Sequence, residues 1–371
     1  MSSSSSTRDT VLVSGGAGYI GSHVVRQLCD AGEQVVVLDD LSTGFLSAVP
    51  EGLLVTGNTG DRDLVTALLA AHKVTTILHF AAHTIVPESV SDPLKYYGNN
   101  TCATRNLLEC AVRAGVSNFI FSSTAAVYGI PANGIAAEDT PTAPINPYGS
   151  SKLMSEWMLR DIDLAHPMRH VSLRYFNVAG ADPGGRIGQS TRKATLLTKV
   201  ACEASVGKRP HVSIYGTDYP TPDGTGIRDY IHVEDLATAH LDALRYLRDG
   251  GKSAVLNCGY GHGYSVREVL AAVERSSGVT LVKKEEPRRA GDPPTLIAAA
   301  DRIRREGIDI LVTLNGYFGS ERLGIFAHRP APVQVSYMGF PATLGLTYMD
   351  YILADRIVIP DSERRFYDEQ V

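Results

Sequence analysis

The chain has 371 residues, 44% of them hydrophobic and 20% charged, with a formal net charge of -5. That length suits two domains, or one α/β domain with an attached lobe, and the apolar content suffices for a proper core. No Lys/Arg block stands out, which argues against a nucleic-acid or acidic-membrane partner, and no apolar run reaches the ~20 residues of a membrane span.

Residues 1–9 are serine-rich without an apolar segment, so they read as a disordered leader and not a signal peptide. Val11-Leu12-Val13 is a short buried-strand pattern that stops at Ser14-Gly15-Gly16-Ala17-Gly18-Tyr19-Ile20-Gly21. A helix carrying Val24, Val25 and Leu28 follows, closed by Gly32, and then a second strand, Gln34–Leu38, ends in Asp39-Asp40. Strand, glycine turn, helix, strand and acidic end come in the order of a dinucleotide site. The glycines let the backbone approach a pyrophosphate at the helix N-terminus, and Asp39 takes the adenosine ribose hydroxyls. An acid there, with no arginine close behind it, favours NAD over NADP.

The alternation continues through a strand at Leu53-Leu54-Val55, a helix over 63–71, a strand over 76–80 ending in Ala81-Ala82, a helix over 101–114, and a strand over 118–121 ending in Ser122-Ser123-Thr124. Repeated βα units predict a doubly wound parallel sheet of the Rossmann type, with ligands at the carboxyl ends of its strands. Thr124 stands at such an end, where its hydroxyl either bonds a substrate oxygen or caps a turn. Tyr148 and Lys152 are one helical turn apart on one face. A tyrosine titrates near pH 10, and the neighbouring ammonium is expected to lower that value and favour the phenolate, making a proton-transfer pair. Cys29, Cys102, Cys110, Cys202 and Cys258 are scattered and lack a CxxC pair. They read as reduced thiols of a cytoplasmic protein, with neither a disulfide frame nor a metal site.

The segments GGAGYIGSH, HFAA, FSSTAAVYG, PYGSSK, RYFNVAGADP, DYPTPDGTGIRDYIHVEDLA and RRAGD occur in this order over about residues 10–300. Together they resemble the UDP-hexose 4-epimerases of the extended short-chain dehydrogenase/reductase family. The resemblance implies an isomerase that inverts C4 of a UDP-hexose with NAD bound throughout, and family members are often homodimers. It implies a catalytic trio of Thr124, Tyr148 and Lys152. It places Gly15, Gly18, Tyr19, Ile20, Gly21, Asp39, Asn58, Phe80, Ala81, Asn99, Tyr148, Lys152 and Tyr175 against NAD, and Thr124, Asn177, Arg228, Arg289 and Asp292 against the UDP-sugar. Two arginines from distant segments suit a diphosphate that is gripped while a sugar moves. Asn58 stands where relatives more often have aspartate, and Leu296 where side-chain size bears on N-acetylated sugars, so related UDP-sugars (N-acetylhexosamine or uronate) remain open as substrates. A 4,6-dehydratase typically has an Asp-Glu pair after the threonine; here Ala125-Ala126 follow.

The expected organisation is a leader over 1–9, an NAD-binding domain over 10–174, a smaller α/β substrate lobe over 175–300, and a foreign α/β-like tail over 301–371. The tail, with HRPAPVQVSYMGFPATLG and MDYILADRIVIP, is similar to an internal piece of the catalytic region of protein O-linked N-acetylglucosamine transferases. No donor-binding lobe follows it, so it reads as a fusion, and a catalytically impaired chimera is the competing expectation. Its strand-like runs at 308–312, 333–338 and 351–354 are expected to lack partners and to expose edges.

Overall fold

The computed structural model describes residues 9–191, 195–299, 310–313, 333–337 and 351–353. The expectation for the leader lies outside these residues up to residue 8. The chain divides into two units, Met1–Ala299 and Ala300–Val371.

The first unit opens with β1 (Thr10–Ser14), α1 (Tyr19–Asp30), β2 (Gln34–Asp39), β3 (Leu54–Thr56), α2 (Arg62–His72) and β4 (Val74–His79). Two short helices, α3 (Val86–Ser91) and α4 (Pro93–Tyr96), lead to α5 (Ala103–Ala114) and β5 (Asn118–Thr124). Next come β6 (Ile135–Ala136), α6 (Pro147–Ala165), β7 (Arg169–Tyr175), β8 (Asn177–Ala179), α7 (Leu197–Ser205), β9 (Val212–Tyr215) and β10 (Ile227–His232). The unit closes with α8 (Val233–Arg248), β11 (Ala254–Cys258), β12 (Gly263–Ser265), α9 (Val266–Ser277), β13 (Lys283–Glu286) and β14 (Thr295–Ala298).

Seven strands form one parallel sheet in the order β11-β7-β5-β4-β1-β2-β3. Its apolar runs are continuous because both faces are covered. Val11 and Val13 pack with Val24, Val25 and Leu28 of α1 and with Leu236 and Leu244 of α8. Leu12, pointing the other way, joins Leu68 and Leu69 of α2 and Leu107 and Leu108 of α5. The chain winds outward from β1 through β2 and β3, then returns to β4 on the other side of β1. That reversal opens a crevice beyond the carboxyl ends of β1 and β4.

The expected helix over 101–114 begins differently. A π-helical turn, Tyr97–Cys102, precedes α5. Within it Asn100 is buried, its amide spanning the His83 backbone N–H (2.8 Å) and carbonyl (3.0 Å). A second sheet runs β12-β10-β14-β6, with β8 also paired to β10, and β13 pairs β9. Because α8 and β11 belong to the large layer, the sequence after residue 174 serves both layers.

In the second unit β15 (Ile310–Thr313), β16 (Val333–Tyr337) and β17 (Tyr351–Leu353) form a parallel sheet in that order. The runs expected to lack partners therefore pair with one another along their described residues.

Candidate active site

The glycine turn joins β1 to α1 under tight steric limits. Gly15 has φ +75°, and a Cβ there would stand 2.5 Å from the Ala81 nitrogen at the end of β4. A Cβ on Gly21 would stand 2.3 Å from the Gly15 carbonyl oxygen, so these two glycines let β1, β4 and α1 close on each other. Gly18 is the N-cap of α1, without a side-chain cap and without an acid in the first turn. The first N–H groups of that helix, at Tyr19 and Ile20, suit an anion. The buried Asp39 carboxylate accepts from the Ala17 N–H (2.9 Å) and the Leu41 N–H (2.8 Å). Burial raises its pKa, and these two bonds counter the rise. Asn58 donates to Asp40 (3.0 Å) and accepts from the Gly60 N–H. Phe80 and Ala81 both donate their N–H to the Ser14 carbonyl, and Asn99 donates to Asn100. A backbone cradle that any Cβ would fill, an uncapped helix end and a fixed acid fit a dinucleotide.

Tyr148 and Lys152 share the buried face of α6. Asn146 caps this helix by accepting from the Gly149 N–H (2.8 Å), and Pro147 opens it. The Lys152 ammonium is buried and donates to the Ser122 carbonyl (2.8 Å), lying 4.8 Å from the centre of the Phe121 ring. Burial pulls its pKa down to about 7, against the opposing pull of the Glu156 carboxylate. The Tyr148 phenol departs from the sequence expectation. Its pKa is raised by burial, with the Thr124 hydroxyl countering part of the rise. A helical spacing of four residues brings the side chains to one face, but here the ammonium reaches across to β5, so desolvation decides the phenol's ionisation.

Thr124 takes the turn-capping role, one of its two expectations. Its hydroxyl accepts from the Ala126 N–H (3.2 Å) as a turn cap, and it lies against the Tyr148 hydroxyl. Tyr175, in register with Thr124 on β7, bonds the Ser122 hydroxyl.

Arg228 on β10 is half-buried and, among the described residues, forms no ion pair, although the Asp292 carboxylate is near enough to pull its pKa upward. Its Nη1 donates to the carbonyls of Ile227 (2.8 Å) and Pro294 (3.4 Å), and burial lowers its pKa. A desolvated guanidinium without a carboxylate partner is costly, unless an anion arrives to meet it. Arg289 differs: it pairs with Asp292 (2.8 Å), and its guanidinium lies over the Tyr215 ring. Asn177 starts β8, beside Tyr230 of β10. Leu296 is in register with Arg228 and packs with Ala125, Val127, Leu153 and Phe176.

Spacing alone missed the side chains behind this cluster. Glu156, one turn beyond Lys152, is buried and holds Arg174 through two bonds (2.9 and 2.6 Å) while accepting from Ser123 (2.5 Å). Tyr96 packs edge-on against the Tyr148 ring. A carboxylate continuing the Tyr148–Lys152 face was the readable signal for the first; nothing local marks the second.

A doubly wound sheet with a glycine cradle at its reversal point and a Tyr–Lys pair at the neighbouring strand ends defines a dinucleotide-dependent enzyme site. The model of the NAD dependent epimerase/dehydratase family matches residues 11–259, and the chain belongs to that family. It is 57% identical over 297 residues to a UDP-glucose 4-epimerase of Azospirillum brasilense, covering 80% of this chain and 85% of that protein. The crystal structure of UDP-glucose 4-epimerase from Brucella ovis in complex with NAD superposes with a TM-score of 0.76 at 43% identity, over 79% of this chain and 91% of that one. The UDP-Glc/GlcNAc 4-epimerase from Campylobacter jejuni gives 0.68 at 50%, over 80% and 92%. The model of Glycosyl transferase family 41 matches residues 294–371. That match begins just before β14, so its first strand is built into the first unit between β10 and β6.

Proposed function

We propose that the chain is an isomerase that interconverts UDP-galactose and UDP-glucose by inversion at C4, with NAD as a tightly held cofactor. The observation that carries this reading is the buried trio of Thr124, Tyr148 and Lys152 beside the glycine cradle, in a chain 57% identical to a UDP-glucose 4-epimerase. Gly15, Gly18, Gly21 and Asp39 hold the adenosine diphosphate half of NAD, and Phe80, Ala81, Asn99, Lys152 and Tyr175 its nicotinamide end. Bound there, NAD would supply a reversible hydride acceptor for C4. Tyr148 takes the proton of the C4 hydroxyl as a general base, Thr124 hydrogen-bonds the same oxygen, and Lys152 holds charge beside them. A tyrosine whose pKa is raised by burial needs positive charge nearby to reach the phenolate. Arg228 grips the diphosphate, with Asn177, Arg289 and Asp292 around it.

The reading includes a homodimer, supported by exposed Trp157 and Leu164 on α6; a monomeric mass by light scattering would remove that part. It also includes a reducing, cytoplasmic setting, supported by five free cysteines and tested by cell fractionation. Among the described residues no helix is long and apolar enough to cross a membrane. The test of the function is to incubate purified protein with UDP-galactose and no added NAD. Formation of UDP-glucose is expected; no conversion by protein that retains NAD would favour the impaired chimera.

A further inference from the structure

Resting on that reading, we propose that Glu156, clamped between Arg174 and Ser123, is a positioning residue of the reaction that fixes α6 against the end of β5 and keeps a carboxylate beside Lys152. Tyr148, Lys152 and Glu156 follow one another at four-residue intervals on the buried face of α6. Glu156 accepts from Ser123 (2.5 Å), the residue between Thr124 and the Ser122 carbonyl that receives Lys152. Arg174 is in register with Ser123 and holds both carboxylate oxygens. Its Nη1 donates to Tyr128 (2.9 Å) at the end of the turn that follows Thr124. One buried ion pair thus ties together the helix and the strand that carry the trio.

The groups facing the Lys152 ammonium are Glu156 on its own helix, Phe121 and the Ser122 carbonyl on β5, and His79 on β4. Burial holds His79 neutral, its pKa down at about 3, so Glu156 supplies the negative charge there, and Arg174, paired with it, is expected to temper that charge. Being of opposite charge, the two halves of the pair are expected to push Lys152 in opposite directions. Glu156→Gln is expected to move the alkaline limb of the kcat profile to lower pH by about one unit, and Arg174→Met to higher pH by a similar amount. A merely structural pair would depress kcat in both variants with superimposable profiles.

The pH dependence of the melting temperature reports the same titration without turnover and is expected to move in the same two directions. Should either charge variant fail to fold, Ser123→Ala decides. It removes one bond to Glu156 and neither charge, and is expected to lower kcat roughly 10-fold with KM nearly unchanged. Turnover of the parent on UDP-galactose tests the functional reading by itself. With an active parent, coincident pH profiles in the charge variants, or an unchanged kcat in Ser123→Ala, overturn this inference alone.

Discussion

Replacing Lys152 with methionine should stabilise the protein at neutral pH while removing its activity. In the fold the ammonium titrates at about 7, against 10.5 for a free lysine side chain, because it is buried. A folded-state pKa below the unfolded one means that the unfolded chain binds the proton more tightly, so the charge opposes folding. The cost is full below pH 7 and fades as pH rises from 7 towards 10.5. At pH 7 it is on the order of 4 kcal/mol. Methionine removes that cost but forfeits the bond to Ser122 and the contact with Phe121, together about 1–3 kcal/mol. The net gain of roughly 1–3 kcal/mol corresponds to a rise of about 2–8 °C in Tm. The assay is a thermal melt of parent and variant between about pH 7 and pH 9.5, and the gain should shrink towards zero at the alkaline end. A variant that melts below the parent at pH 7, or a difference independent of pH, would refute the reasoning.

Three further outcomes are expected. Tyr148→Phe should lower kcat by about 10²-fold or more while the purified protein keeps its NAD, measured by release on acid treatment; unchanged turnover would remove Tyr148 from the mechanism. Gly15→Ala combines φ +75° with a Cβ 2.5 Å from the Ala81 nitrogen, and should cost about 2–4 kcal/mol and much of the bound NAD. Gly52→Ala, at φ +81° but in open space, should cost only about 1–2 kcal/mol, and equal losses at both sites would contradict the steric account. Arg228→Met removes a half-buried cation that forms no ion pair among the described residues and should raise KM for the UDP-sugar by about 10-fold or more without lowering Tm; an unchanged KM would separate Arg228 from the diphosphate.

Much of this was legible in the sequence because its features are set by spacing. Gly15, Gly18 and Gly21 encode close approach of backbones, and Val11 to Val13 encodes a strand covered on both faces. Both depend on local geometry that the chain order carries. Ionisation is another matter. The four-residue step from Tyr148 to Lys152 says which face they share, not that the lysine's long stem carries its charge to the Ser122 carbonyl. The distinction between Arg228 and Arg289 was hidden for a similar reason. Asp292, three residues on, pairs with Arg289 locally, whereas Arg228, where β10 meets β14, donates to the backbone carbonyls of Ile227 and Pro294. The π-helical turn at Tyr97–Cys102 left no periodic signature, because Asn100 is drawn in by the His83 backbone and not by an apolar neighbour.

In the proposed reaction C4 is oxidised and reduced again within one protein. The most direct measurement uses UDP-galactose carrying deuterium at C4, with the purified protein in ordinary water and no added cofactor. UDP-glucose that retains the deuterium at C4 is expected, since the hydrogen leaves and returns without reaching solvent. Product carrying solvent hydrogen at C4 would contradict that reaction.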